Sequence, residues 1–165
     1  MGAAFFFYPG RDYVLVGLML FLPLLDRNWR PSKPLINRRY LPLSLGLIVV
    51  AIILLAWQPS FHAYAITTLL LAALPEEWFF RGYFMTRLGG NTRANLISSV
   101  FFSLVHGLTR GWSSAALVFV PSLFYGWLYQ RTRDLPLLVL AHALSNLVYA
   151  LFLADFVATR VPDLR

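Results

Sequence analysis

The segment Leu74–Phe84, with the sequence LPEEWFFRGYF, places two acidic residues and one basic residue in an otherwise apolar stretch. Glu77 and Arg81 are four residues apart, so on a helix they share a face and can form an ion pair. Glu76 is rotated by about 100° from Glu77 and can face another direction. Ionisable side chains in membrane-like segments are costly, and they usually face the protein interior and mark function.

Two further apolar segments carry polar residues of the same kind. His106 lies in the first, while His142 and Asn146 lie in the second, four residues apart and therefore on one helical face. A third histidine, His62, lies at a predicted helix start. Because these residues belong to different segments, only a folded helix bundle can bring them to the glutamates.

Together these side chains can hydrolyse an acyl bond without a nucleophilic side chain. A glutamate beside a neutral histidine can deprotonate water, and a second histidine with an asparagine amide can donate hydrogen bonds to an oxyanion. Structural interpretations stay open, since Glu77 and Arg81 can be a simple ion pair. His106 can be a packed side chain, and Asn146 can join two helices by a hydrogen bond.

The elements that must position these residues are membrane helices. The 165 residues are 59% hydrophobic and 13% charged, whereas about 25% of an ordinary soluble domain is charged. We therefore expect an all-α fold, a polytopic membrane bundle of about six transmembrane helices around a buried polar cavity. One integral membrane domain should cover residues 1–165. The predicted spans are Phe5–Leu25, Tyr40–Trp57, Phe61–Leu88, Ala94–Leu108, Ser113–Tyr129 and Leu135–Val157.

The net charge of +7 is spread over the loops between these spans. Three loops hold Arg27, Arg30, Lys33, Arg38 and Arg39, then Arg87 and Arg93, then Arg131 and Arg133. The loops at the other end hold Arg110 alone. The positive-inside rule makes the basic loops cytoplasmic and both termini external, and it favours contact with the lipid bilayer rather than with nucleic acid. We expect no cofactor, and the absence of cysteine removes thiolate metal ligands.

Three motifs resemble those of the CAAX protease and bacteriocin-processing (CPBP, or Abi) family of glutamic-type intramembrane proteases. EEWFFR fits EExxxR, FSLVH fits FxxxH and HALSN fits HxxxN. Each motif alone is weak, but three in order on separate helices are fairly specific. The chain is shorter than a typical member, which leaves the substrate class open.

The resemblance implies a role for each matching residue. Glu76 is the main base that activates water, and His106 assists it. His142 and Asn146 form the oxyanion hole, and Phe102 is a packing residue.

The same resemblance makes Glu77 a supporting residue and Arg81 the group that holds the glutamates by ion pairing. The implied activity is an endopeptidase that acts near the C-terminal tail of a membrane-associated protein, with a sorting or lipidated tail. The implied location is a multi-pass position in a prokaryotic inner (plasma) membrane.

Three alternatives belong to other classes. A non-catalytic immunity or scaffold protein would have the same helices, and a proton-coupled transporter would use intramembrane Glu and His as a relay. A zinc-dependent membrane metalloprotease would use the same glutamates and histidines as ligands. EEWFFR is not the HExxH pattern, however, and Arg81 beside the glutamates disfavours a cation.

Overall fold

The computed structural model describes residues 9–29 and 36–160, and all regular secondary structure in these ranges is helical. The α-helices are α1 (Pro9–Leu25), α2 (Leu41–Trp57), α3 (His62–Thr68), α4 (Leu74–Glu77), α5 (Thr92–Arg110), α6 (Trp112–Thr132), α7 (Leu135–Val148) and α8 (Ala154–Arg160). Short 3₁₀ turns occupy Arg38–Tyr40 and Pro59–Phe61, and π-helical segments occupy Leu69–Ala73, Trp78–Met85 and Tyr149–Leu153.

The expectation of an all-α fold is confirmed for the part of the chain that the structure describes. Each of the six predicted segments corresponds to a helical rod. In the third rod, one π-helical segment joins α3 to α4 and a second follows α4. Helix α5 continues to Arg110, beyond the predicted end at Leu108, so His106 lies a full turn inside the helix. The start of the first predicted span, Phe5 to Tyr8, and two loop residues, Arg30 and Lys33, lie outside the described residues.

Two of the described helices are long and apolar enough to cross a membrane, Arg38–Trp57 and Leu135–Val157, and the apolar helix Asp12–Leu25 is shorter. The third rod, which we call the glutamate rod, is more polar than these helices because three charged side chains, Glu76, Glu77 and Arg81, lie within it. Helix α2 has most of its apolar side chains exposed, including Ile48, Ile52 and Ile53 among others.

The glutamate pair lies between two π-helical segments of one continuous rod. Pro75 has no backbone N–H and cannot bond the carbonyl four residues earlier, and the N–H of Leu74 reaches back five residues to Leu69. Thr86 follows the end of the second π-helical segment, and its hydroxyl donates to the Arg81 carbonyl at 3.1 Å. π-Helical turns are rare and occur frequently at functional sites, and here they set the directions in which the glutamates face.

One end of the bundle gathers the basic loops. Asp26, just after α1, accepts an ion-pair contact of 3.2 Å from Nε of Arg87. Asp134 caps α7 by accepting from the N–H of Leu137 at 2.8 Å, and its other oxygen accepts from the N–H of Asn37 at 2.7 Å. These contacts join the ends of α1, α2, the glutamate rod and α7 at the basic face.

Helices α5 and α6 form the most closely packed pair of the bundle. Gly111 alone links them, with a φ of 93° that favours glycine. Gly126 of α6 faces Asn95 of α5 so closely that a β-carbon there would lie 1.7 Å from Oδ1 of Asn95. Gly126 is therefore a packing residue at which α5 and α6 approach closely.

Candidate active site

Glu77 and Arg81 form the buried ionic centre of the site. Nη1 of Arg81 lies 3.3 Å from Oε1 of Glu77, and both side chains are at most 1% exposed. Helix α6 supplies further acceptors, because Nη2 of Arg81 donates to the hydroxyl of Ser122 at 2.7 Å and to its carbonyl at 2.9 Å. The Arg81 guanidinium also lies 5.0 Å from the ring centre of Phe102.

The same carboxylate oxygen of Glu77 holds His142 of α7. Nδ1 of His142 lies 2.8 Å from Oε1 of Glu77. A carboxylate can only accept a hydrogen bond, so Nδ1 of His142 carries the proton. The ring is fixed further by Tyr125, which stacks on it at 5.1 Å with planes 16° apart.

Glu76 lies between two histidines from different helices. Its Oε1 is 4.0 Å from Nε2 of His106, and its Oε2 is 3.8 Å from Nε2 of His142. Both separations exceed a direct hydrogen bond. Glu76 is 8% exposed, so its carboxylate lies in a nearly enclosed space between two imidazole rings.

His106 is oriented by its own helix. Its Nδ1 lies 3.0 Å from the carbonyl of Phe102, four residues earlier. Because a carbonyl only accepts, Nδ1 carries the proton, and a neutral ring then presents the lone pair of Nε2 towards Glu76. The Phe102 ring lies 4.4 Å from that of His106, so Phe102 packs against the histidine as its motif position implied.

Asn146 lies one turn after His142 on α7 and contacts the first half of the glutamate rod. Its side-chain amide donates to the hydroxyl of Thr68 at 3.0 Å, and its backbone carbonyl accepts from the hydroxyl of Tyr64 at 3.2 Å. The structure therefore brings Glu76, Glu77, Arg81, His106 and His142 into one connected group, with Asn146 at the adjoining turn. His62 is exposed at the start of α3 and bonds the Pro59 carbonyl.

A cavity of about 30 Å³ adjoins Glu76 and His106. Helices α1 and α5 provide most of its wall, and its lining residues include Asp12, Met19, Leu71 and Arg110. Since a water molecule needs roughly 10–15 Å³ measured in this way, the cavity has room for one or two.

In the described ranges, no three histidine or acidic side chains have an arrangement that could hold a metal ion. Glu77 is already engaged by a guanidinium and by an imidazole N–H.

The sequence model of one protein family, described as type II CAAX prenyl endopeptidase Rce1-like, matches residues 57–148, more than half of the chain. The chain belongs to this family. The matched range includes all three motifs and every residue of the connected group. No curated protein and no solved structure matches the chain.

Membership in the Rce1-like family makes the chain a CAAX-type protease, a hydrolase of a membrane-embedded family with a protein or peptide substrate. The resemblance found in the three motifs is confirmed by this match. The family identity fixes the class of reaction, whereas the roles of individual residues depend on the geometry described above.

Sequence reasoning did not identify four contributors to the site, Ser122, Tyr125, Thr68 and Tyr64. Ser122 and Tyr125 are neutral residues of α6 with no motif around them, and they hold Arg81 and His142. Thr68 binds Asn146. Tyr64 and Thr68 are four residues apart on the rod that carries Glu76, and this polar spacing was the one signal that could have found them.

Proposed function

We propose that the protein is a glutamate-dependent intramembrane endopeptidase, formed by one domain, that cleaves near the C-terminal tail of a membrane-associated protein. One observation carries the proposal: the two carboxylate oxygens of Glu76 face Nε2 of His106 and Nε2 of His142 at 4.0 and 3.8 Å. The gap between Glu76 and His106 suits a water molecule held between a carboxylate and an imidazole lone pair, and the adjoining cavity can supply it.

In the proposed reaction, Glu76 and His106 accept a proton from this water while its oxygen attacks the carbonyl carbon of the scissile peptide bond. The carbonyl oxygen becomes an oxyanion. Collapse of the tetrahedral intermediate breaks the C–N bond, and the proton held by Glu76 and His106 passes to the leaving amine. Water is thereby divided between a new carboxylate and a new amine, and no oxidant or further reactant is needed.

His142 and Asn146 are the proposed oxyanion donors. Glu77 stabilises a protonated His142 through Nδ1, which leaves an Nε2–H free to donate towards the reaction centre. The Asn146 amide bonds Thr68 in the unliganded site and would donate its second N–H to the oxyanion. Arg81 lies 3.3 Å from the Glu77 oxygen that holds His142, so the supporting pair fixes the position of His142.

The proposed setting is a multi-pass position in a prokaryotic inner membrane, with all six rods crossing the bilayer. The breadth of exposed apolar surface supports this, because α1, α2, α5 and α6 all present large apolar side chains to the outside. Soluble proteins rarely expose contiguous apolar patches larger than a few hundred Å². The basic loops gather at one end, as expected when that end faces the cytoplasm.

The proposed substrate has a C-terminal lipidated or sorting tail. The description of the matched family refers to prenyl endopeptidases of CAAX proteins, whose tails carry a prenylated cysteine followed by three residues. A catalytic group within the apolar bundle suits a substrate that a lipid holds at the membrane.

A test uses the purified full chain in liposomes with a set of synthetic tail peptides, both farnesylated and unmodified, read by mass spectrometry. Wild type should release a defined C-terminal fragment, and Glu76→Gln should lower the rate by about 10²–10⁴-fold. Asp155→Asn makes the same acid-to-amide change at an exposed position of α8 and should cleave as wild type does. Equal cleavage by wild type and Glu76→Gln, or none by either, would overturn the proposal.

A further inference from the structure

Two residues of α3 hold Asn146 of α7, and the proposed reaction gives neither of them a task. The Asn146 side-chain amide donates to the Thr68 hydroxyl at 3.0 Å, and its backbone carbonyl accepts from the Tyr64 hydroxyl at 3.2 Å. Tyr64 and Thr68 are four residues apart and therefore share one face of α3. One face of α3 thus contacts both the backbone and the side chain of a proposed oxyanion donor.

The backbone contact lies where the hydrogen bonding of α7 becomes irregular. The π-helical segment Tyr149–Leu153 follows α7 directly, and the N–H of Tyr149 donates to the carbonyls of both Asn146 and Ser145. Turns of this kind occur frequently at functional sites. Because the helix changes its pattern at the Asn146 carbonyl, the Tyr64 hydroxyl is an additional anchor for the backbone at this point.

The side-chain contact sets the orientation of the Asn146 amide. Thr68 is buried, with 7% of its surface exposed. The amide nitrogen carries two N–H groups in one plane, so an N–H bound to the Thr68 hydroxyl fixes the direction of the other. An amide without this partner can turn and present its oxygen, which would repel an oxyanion. Thr68 therefore determines which end of the amide meets the reaction centre.

The glutamate rod anchors both proposed oxyanion donors. Oε1 of Glu77 lies 2.8 Å from Nδ1 of His142. One turn further along α7, Asn146 is held by Thr68 of the same rod. The rod also carries Glu76, the proposed base. Stabilisation of an oxyanion depends on donors that are already in place before the reaction, and here the base and the anchors of both donors belong to one continuous element.

We propose that Thr68 is a positioning residue, whose hydroxyl holds the Asn146 amide so that its second N–H faces the oxyanion. This inference rests on the proposed protease function and on the proposed role of Asn146. The alternative is a hydrogen bond that only joins two helices. Such a bond would contribute to the stability of the fold and would leave the turnover of the folded enzyme unchanged.

The first test measures kcat and KM of Thr68→Val, which keeps the shape of the side chain and removes the hydroxyl. The full chain in liposomes cleaves whichever farnesylated or unmodified tail peptide wild type cleaves fastest. We expect kcat to fall about 10- to 100-fold, less than the 10²–10³-fold typical of losing an oxyanion donor itself. KM should stay near that of wild type, because the oxyanion exists only in the transition state and the intermediate.

Thr67→Val is the matched control, because it makes the same change at the adjacent, exposed position of α3. It should keep the wild-type kcat. Thr68→Ser and Thr68→Ala differ from each other by the hydroxyl alone and repeat the comparison without the γ-methyl group. Thr68→Ser should retain most of the wild-type kcat, whereas Thr68→Ala should lose as much as Thr68→Val.

A double-mutant cycle separates positioning from a general effect on the fold. Asn146→Ala removes the amide, so adding Thr68→Val to it should change kcat by no more than about twofold. An effect of Thr68 that does not pass through Asn146 would give the same fold loss in both backgrounds. Thermal unfolding of each variant in detergent shows that the rates compared are those of folded protein.

Three results would overturn the role of Thr68 and leave the protease function standing, provided that cleavage still requires Glu76. They are a wild-type kcat in Thr68→Val, equal kcat in Thr68→Ser and Thr68→Ala, or the same fold loss with and without Asn146. The absence of any cleavage that requires Glu76 would overturn the protease function and this inference together.

Discussion

Oε1 of Glu77 lies 2.8 Å from Nδ1 of His142, a residue 65 positions further along the chain. The same oxygen is 3.3 Å from Nη1 of Arg81. Glu77 therefore links the glutamate rod to α7, and Arg81 connects this pair to Ser122 of α6. Its neighbour Glu76 makes no contact this short with either histidine, so two adjacent glutamates occupy different chemical environments.

This difference predicts that the two glutamates respond differently to the same substitution. Glu77→Gln leaves the buried Arg81 without its counter-charge and should lower the free energy of unfolding by about 3–5 kcal/mol. Glu76→Gln breaks no direct hydrogen bond found in the described residues and should leave the unfolding temperature near that of wild type. Thermal unfolding of both variants in the same detergent checks this. Equal destabilisation by the two changes would contradict the assignment of Glu77 as the structural partner.

Ser122 provides a second prediction, because it links α6 to the ionic centre. Ser122→Ala removes the hydroxyl that accepts from Nη2 of Arg81 at 2.7 Å and should cost about 1.5–3 kcal/mol, as expected for a hydrogen bond to a charged group. Activity should also fall, because Arg81 orients the glutamate that holds His142.

Ser98→Ala is the control for this substitution. Ser98 is equally buried and donates to the carbonyl of Phe80 at 3.0 Å, which is a neutral hydrogen bond worth about 0.5–1.5 kcal/mol. It should destabilise less than Ser122→Ala and keep kcat. If Ser98→Ala lowered kcat as much as Ser122→Ala, the effect would reflect general packing and not the ionic centre.

Gly126 gives a prediction about the scaffold alone. A β-carbon at this position would lie 1.7 Å from Oδ1 of Asn95. Asn95 cannot turn away freely, since its amide donates to the Leu123 carbonyl and its oxygen accepts from Ser99. Gly126→Ala should therefore destabilise the protein by about 1–3 kcal/mol through overpacking.

Gly46 in α2 is the matched position, because a β-carbon there meets nothing within 4 Å. Gly46→Ala should stabilise by about 0.5–1 kcal/mol, since alanine is the better helix former. The two alanine variants should thus shift the unfolding temperature in opposite directions. A shift of the same sign in both would show that α5 and α6 do not approach as closely as described.

The helices and the polar residues of the site were predictable because both rest on local patterns. Long apolar runs gave the rods, and four-residue spacing placed Glu77 with Arg81 and His142 with Asn146. The partners across helices were not predictable in the same way. Glu76 and Glu77 leave the helix in different directions, but spacing alone does not show which histidine each one meets. The π-helical turns around Pro75 also change the directions of both side chains.

Arg110 illustrates a different limit of the sequence. As a lone cation between two spans it had the appearance of an ordinary loop charge, and only the extension of α5 beyond Leu108 puts it on the face of His106. Ser122 was not predictable either, because a serine in an apolar helix has no spacing relationship to an arginine that it binds on another helix. A contact between two helices decides the role of Ser122, whereas the position of Arg110 depends on where α5 ends.

The zinc alternative leads to the last prediction, which concerns chelators. A divalent cation shared by Glu77 and the histidines would lie close to the Arg81 guanidinium, which is 3.3 Å from Oε1 of Glu77, and like charges at this range repel. Cleavage should therefore survive incubation with EDTA and with 1,10-phenanthroline, and added zinc should not restore Glu76→Gln. A zinc metalloprotease assayed in parallel confirms that the chelators act. Activity lost with chelator and regained with one equivalent of zinc would contradict this prediction and support the zinc metalloprotease.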